Sequence, residues 1–363
     1  MIPAAQCKRI LSIGERLQRF EASSFEADAD KAKVFISSAG LLVSKLPKFW
    51  LAVGALSGDI VECSIDAAMD VAAAQESGDA FSVDRVPHRR VRRARVDVPD
   101  DFRVLSSVEL PLDVLKHLRL GISLGNLSEL DKFASSHQLI TRCFWFDGRF
   151  EPGWVWLVTT TGHVLVTYRR RFSLPKRLPY IGIPVWFADA AVRLANLVKA
   201  SSVEFRFLKR KRVRKKSDFV EMVIGECRLI VLAETEGLLD YRFLFDTESD
   251  GIEVSAGELF DALQLIRKKS NNGGVGVVLE AGQQSLSLSC ICNEAVTEQI
   301  EARCSSFPAG DFKCTIDLKR LQRLLRPFRK RAVRMMLNKV SYCMLLKLEG
   351  LPDVTFALSM LRR

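Results

Sequence analysis

Histidine is scarce: the 363 residues contain four, at positions 88, 117, 137 and 163, with no HxH or HExxH spacing. The nine cysteines include no CxxC pair. These absences exclude the common zinc patterns, and neither a metal nor a cofactor is expected. An odd thiol count in a long chain reads as free thiols in a reducing compartment, not as a disulfide framework. Cys290 and Cys292, two apart, fall on one face of a strand. No apolar run is long enough to span a bilayer. The N-terminus has no leader-like apolar core either, because Lys8, Arg9, Glu15 and Arg16 interrupt it. Neither a signal peptide nor a membrane span is therefore expected. Carboxylates cluster at 26–30 and 246–253, in the irregular spacing of acidic loops and not as a metal-binding pair. In "TTTGHVLV" (159–166), Thr160 and Thr161 stand beside His163, but no base, acid or polar cleft is identifiable with them. No catalytic residue is expected, and the chain reads as a non-enzyme.

What is abundant is positive charge. Lys and Arg number 54 against 43 Asp and Glu, a formal net charge of +11 with a pI near 9.3. That balance predicts an anionic partner, nucleic acid before an anionic membrane surface. A hydrophobic content of 48% describes a globular chain, and its length suits two or three domains.

Six amphipathic helical patterns recur, at 3–20, 45–56, 109–122, 182–200, 254–270 and 315–330. Between them lie β-type runs such as "WVWLVTTTGHVLVTYR", "FVEMVIGECRLIVLAE" and "VRMMLNKVSYCMLLKLEG". One helix covering each group of strands, six times over, predicts an α+β chain of three domains with two helix-plus-sheet repeats apiece. The charged stretch 86–101 and the acidic stretch 243–253 read as linkers. The domains are expected at 1–103, 104–249 and 250–363.

The cations follow the helices. Lys319, Arg323, Arg326 and Lys330 make one stripe on the last pattern, opposite Leu318, Leu321, Leu325 and Phe328, and Pro327 is placed to end or kink it. Arg9 and Arg16 stand against Ile10, Ile13, Leu17 and Phe20 on the first. Lys116 and Arg119, then Arg193 and Lys199, then Arg267 with Lys268, mark three others. A single stripe is a solvated helix face. Repeated on most covering helices, it makes a surface suited to phosphates and indifferent to base sequence. Two basic runs, "FLKRKRVRKKSD" (207–218) and "RRVRRARV" (89–96), either contact phosphate or guard an exposed strand against pairing.

Four stretches carry a family resemblance. "TTGHVL" (160–165), "EGLLDYR" (236–242), "VRMMLNKVSYCMLLKLEG" (333–350) and the closing "VTFALSMLRR" resemble, in order and position, segments of the bacterial-type DNA polymerase sliding clamp, the β clamp. "VDVPDDFRVLSSVELPLDVLKHL" resembles the junction of its first two domains. The match runs from 97 to the end, and over 1–96 it is confined to the second half of a shortened first domain.

The resemblance implies three clamp-type domains in each of two subunits, closed head to tail as a homodimeric ring, helices inside and sheets outside. Such a ring encircles double-stranded DNA without sequence preference and tethers DNA polymerase and clamp-loader peptides, in the cytoplasm at the nucleoid and without a membrane. The peptide pocket carried over comprises Thr160, Gly162, His163, Leu165, Leu318, Ser341, Cys343, Ala357, Ser359 and Leu361. Thr161 and Val164 replace the family's Asp and Arg, Asp246 stands where a proline is usual, and "SMLRR" lacks the usual tail order. Those departures leave a different peptide preference or an incomplete pocket as alternatives. The shortened first domain leaves a second: a clamp-fold DNA-binding or regulatory protein that forms no loadable ring.

Overall fold

The computed structural model describes residues 4–22, 33–36, 40–45, 49–54, 60–75, 89–91, 102–123, 143–160, 162–210, 218–238, 240–245, 251–270, 276–282, 284–291, 293–304 and 312–361. Six α-helices lie among them: α1 (Ala4–Ala22), α2 (Ile65–Ala74), α3 (Leu112–Ser123), α4 (Val185–Leu197), α5 (Ala256–Lys269) and α6 (Leu318–Leu325). The chain forms two compact units, one from Met1–Lys116 with Phe172–Glu236, the other from His117–Arg171 with Gly237–Arg363.

The first unit is built on one antiparallel nine-stranded sheet, in the order 89–91, 60–64, 33–36, 40–45, 49–54, 227–232, 218–224, 202–210, 102–111. Its two halves join where Trp50 stands opposite Ile230 and Phe49 opposite Val231. Val43 lies beneath Gly14 of α1, and the ring of Phe49 meets Phe187 of α4 at 5.6 Å, so this face is covered by helices. Gly14 admits that approach because a Cβ there would come within 3.1 Å of Val43. The other face is not plainly polar. Phe35, Leu42, Trp50, Ile60, Leu208, Phe219 and Ile230 form a second buried cluster, with Phe102 packed against it. Beside this cluster the nearly buried Glu221 bridges Arg206 and Arg228.

The double burial explains a correction. The expected helix at 45–56 is instead the strand Phe49–Gly54. A strand with apolar side chains on both faces loses its period of two and imitates a short helix in sequence. The second helix lies later, at α2. Its Ala-rich sequence shows a weak apolar stripe, and its start is marked by Ser64, whose hydroxyl accepts from Ala67 N at 3.2 Å.

In the second unit, strands 143–147, 154–160, 164–171, 351–359, 343–348, 332–338, 252–255 and 303–304 run side by side in that order. A further sheet orders 293–301, 285–290, 276–281 and 313–317. Helix α5 begins at Ser255, which caps Glu258 N, and ends with Arg267, Lys268 and Lys269, where cations suit the negative end of the helix dipole. Asp317 caps α6 through Arg320 N at 2.9 Å. Leu318, Leu321, Leu325 and Phe328 are all buried, as their spacing predicts, and the helix gives way at Arg326 to a 3-10 turn containing Pro327. Arg329 ties that turn to α5 through Asp261 at 2.6 Å and the Phe260 ring at 4.7 Å. The seven cysteines whose side chains are described are buried and form no disulfide with one another. No described helix is long and apolar enough to cross a membrane.

Candidate functional site

The hairpin of strands Trp154–Thr160 and Val164–Arg171 closes with Thr160 opposite Leu165. Its turn needs a left-handed residue, which Gly162 supplies at φ 84°. The Thr160 hydroxyl donates to Val164 O at 2.9 Å and accepts from Gly162 N at 3.0 Å. Both its functions serve the turn, so it is a structural hydroxyl and not a poised nucleophile.

The last strand, Leu351–Ser359, lies against this hairpin with Ala357 opposite Leu165 and Leu358 opposite Val164. Ser359 N donates to His163 O at 2.9 Å, and the Ser359 hydroxyl stands 3.4 Å from His163 Nδ1, long for such a bond. On the other side Ser359 is paired with Cys343. Ser341 Oγ and Cys343 Sγ are 3.3 Å apart, and burial pushes the Cys343 thiol pKa up. The tail continues the edge: Met360 N donates to Tyr342 O and Leu361 N to Thr315 O, each at 2.8 Å. Leu361 Cδ1 would lie 2.9 Å from a Cβ at Gly276.

The structure thus brings Thr160, Gly162, His163, Leu165, Ser341, Cys343, Ala357, Ser359 and Leu361 onto one continuous edge of the second unit. Leu318 joins it only through strand 313–317; at 1% exposure it is a core side chain. Of the remaining members, Gly162 is exposed and His163, Ser341, Ser359 and Leu361 are half-buried, whereas Leu165, Ala357, Thr160 and Cys343 are buried. Thr161 and Asp246 lie outside the described residues.

Three exposed apolar side chains at this edge escaped the sequence reading: Phe243, Val340 and Tyr342. Asn338 brings them into one neighbourhood. Its Nδ2 donates to Phe243 O at 2.9 Å and to Leu244 O at 3.3 Å, while its Oδ1 accepts from Ser341 N at 2.8 Å. Tyr342 holds φ at 50°, rare for an aromatic residue. The segment carrying Phe243 is anchored by a buried carboxylate. Asp147 accepts from Arg149 Nε at 2.9 Å and Nη2 at 2.8 Å and from the Tyr241 hydroxyl at 3.1 Å. Burial, then the Asp147 charge, raises the Tyr241 pKa. Next to it the Arg242 side chain holds Asp240 down to a pKa of about 2. The signal for this anchor was present in "EGLLDYR", but its partner lies 94 residues away.

The basic residues divide between the units. In the first, Arg9 and Arg16 of α1 and Arg193 of α4 line a hollow of about 340 Å³ with Ser12 and Asn196. Arg193 is held by Asp189 at 2.6 Å. Lys199 follows α4, exposed, at φ 57°. Lys116 on α3 is exposed and bridges to Asp113 at 3.3 Å. The side chain of Arg119 lies outside the described residues. In the second unit, Arg267, Lys319, Arg323, Arg326 and Lys330 are all exposed on or just beyond α5 and α6. Among the described residues no three His, Cys, Asp or Glu side chains gather as a metal site.

No protein-family model matches the chain, and no curated protein matches it by sequence. Solved structures do match over the full length. The polymerase III β subunit of Caulobacter crescentus aligns at TM-score 0.71 and 12% identity, covering 100% of this chain and 99% of its own. The β subunit of Thermotoga maritima aligns at 0.69 and 10%, covering 100% and 98%. A sliding clamp from Bartonella birtlesii, bound to griselimycin, aligns at 0.70 and 13%, covering 100% and 98%. The fold is that of the bacterial DNA polymerase sliding clamps.

Proposed function

We propose that this chain is a DNA sliding clamp: a homodimeric ring of three-domain subunits that encircles duplex DNA and tethers a DNA polymerase and other replication or repair proteins. The observation that carries the reading is the clamp fold over the whole chain together with exposed cations on its helices. Cations spread over smooth helix faces attract phosphate without reading bases, which permits sliding; the ring then supplies processivity by topology rather than by affinity.

Head-to-tail closure needs two complementary edges. One candidate is the edge strand Arg89–Val91, of sequence RRV, in the first unit. The other is the edge strand Asn293–Glu301 in the second, which carries Glu298, bridged to Lys269, and the exposed Glu301. Their opposite charges favour pairing between copies and disfavour each edge pairing with itself.

The partner site proposed is the edge around His163, Ser359 and Leu361, extended by Phe243, Val340 and Tyr342. Exposed apolar side chains on turns beside these strand ends suit a short peptide with apolar anchors. The role is that of a non-catalytic tether in the cytoplasm at the nucleoid.

The reading is tested on DNA. Loaded on a nicked circular duplex, the protein should stay bound through a high-salt wash and leave when the circle is cut. Equal release from circular and linear duplex would favour a clamp-fold DNA-binding or regulatory protein without a loadable ring.

A further inference from the structure

We infer that the end of the hairpin Ser202–Arg210/Asp218–Ile224, with Arg103 and Lys176 beside it, is a second surface for the phosphate backbone of duplex DNA, separate from the helix faces. Lys209 is paired with Asp218 on one side and with Arg103 on the other. Like charges placed opposite each other weaken a strand pair. The carboxylate that would relieve them, Asp218, is also held by Arg177 at 3.2 Å. Among the described residues Asp218 thus stands opposite Lys209 in the sheet and bridges to Arg177, while Arg103, Lys176 and Arg177 are exposed. Guarding a sheet edge accounts for Arg103, which lies on the edge strand Phe102–Pro111. It does not account for Lys209, one strand further in, or for Lys176 and Arg177 in the connection before strand Tyr180–Pro184. A concentration of cations that costs the sheet stability is one that an external anion would complete.

The position separates this surface from the hollow of Arg9, Arg16 and Arg193. Arg193 and Asn196 occupy the last turns of α4, close to where strand Ser202–Arg210 begins. Lys209 stands seven residues along that strand from Ser202, roughly 23 Å at about 3.3 Å per residue. The chemistry favours backbone contact over base recognition. Phe102, next to Arg103, packs on Phe219 at 5.0 Å and Trp50 at 6.0 Å and offers no stacking platform. In sequence, Lys211, Arg212, Arg214, Lys215 and Lys216 follow; they lie outside the described residues, and the surface proposed does not include them.

The test needs no ring. The full chain is titrated with a short fluorescent linear duplex over a range of salt, as wild type and as R103Q/K176Q/K209Q. Three lost phosphate contacts should make the slope of log K against log salt shallower by about 2 to 3, equally on unrelated sequences. The charge-preserving R103K/K176R/K209R should keep the wild-type slope. An unchanged slope in the first variant, or a lost slope in the second, overturns the inference. Poly-glutamate that displaces the protein as well as duplex DNA of equal charge overturns its assignment to nucleic acid. Because encirclement contributes nothing on short linear DNA, a failure of the ring proposal would leave this result intact, and the reverse holds too.

Discussion

Asp147 is the most informative single side chain to perturb. It is fully buried, yet it accepts from Arg149 N at 3.1 Å, Nε at 2.9 Å and Nη2 at 2.8 Å and from the Tyr241 hydroxyl at 3.1 Å. Asp147→Asn keeps the shape and removes the charge. Breaking a fully buried pair costs about 3–5 kcal/mol. Arg149 keeps some recourse to water, since its side chain is 27% exposed, and it retains Leu238 O at 3.3 Å. A loss of about 2–3 kcal/mol follows, near the upper range for hydrogen bonds to a charged group. Tyr241→Phe removes one donor and should cost about 1 kcal/mol. Because the two side chains touch, the double variant should fall short of the sum by about 0.5–1 kcal/mol. Urea unfolding followed by tryptophan fluorescence measures this, since Trp145, Trp154 and Trp156 belong to the second unit. The same variants should weaken a polymerase-tail peptide, because the anchored segment presents Phe243. Additivity within about 0.3 kcal/mol, or an Asp147→Asn variant as stable as wild type, would refute the reasoning.

Three further outcomes are expected. Arg323→Ala with Arg326→Ala should weaken non-specific DNA binding and make its salt slope shallower by about 1 to 2; an unchanged slope would take α6 out of the DNA face. Removing residues from Met360 onward should abolish polymerase-tail peptide binding while leaving assembly intact; unchanged peptide affinity would remove Leu361 from the proposed site. Burial, with the Cys63 charge second, pushes the Cys7 thiol from an ordinary 9.0 up to about 12, and burial lifts Cys63 to about 11. Folded thiols thus stay protonated where unfolded ones ionise. This contribution is complete below pH 9 and is lost as pH rises towards 11–12, so the urea midpoint should fall in that window. A Cys7→Ser/Cys63→Ser variant with the same alkaline profile would contradict it.

The sequence was most legible where burial is one-sided. α6 shows Leu318, Leu321, Leu325 and Phe328 on one stripe and exposed cations on the other, and its capping Asp317 and Pro327 stand where its ends lie. Phe49–Gly54 was illegible because the sheet buries both its faces, and α2 because alanine leaves little apolar contrast. The site shows the same divide. "TTTGHVLV" and the closing strand are local signals, and strand pairing joins them. Phe243, Val340 and Tyr342 gave none, because their exposure depends on Asn338 and on the Asp147 anchor, contacts across about a hundred residues.

The central claim is the ring, and oligomeric mass tests it most directly. Sedimentation at micromolar concentration should give twice the chain's 40.8 kDa. Charge reversal of the Asn293–Glu301 edge, Glu298→Lys with Glu301→Lys, should reduce it to the monomer. A wild-type protein that sediments as a strict monomer would contradict the account.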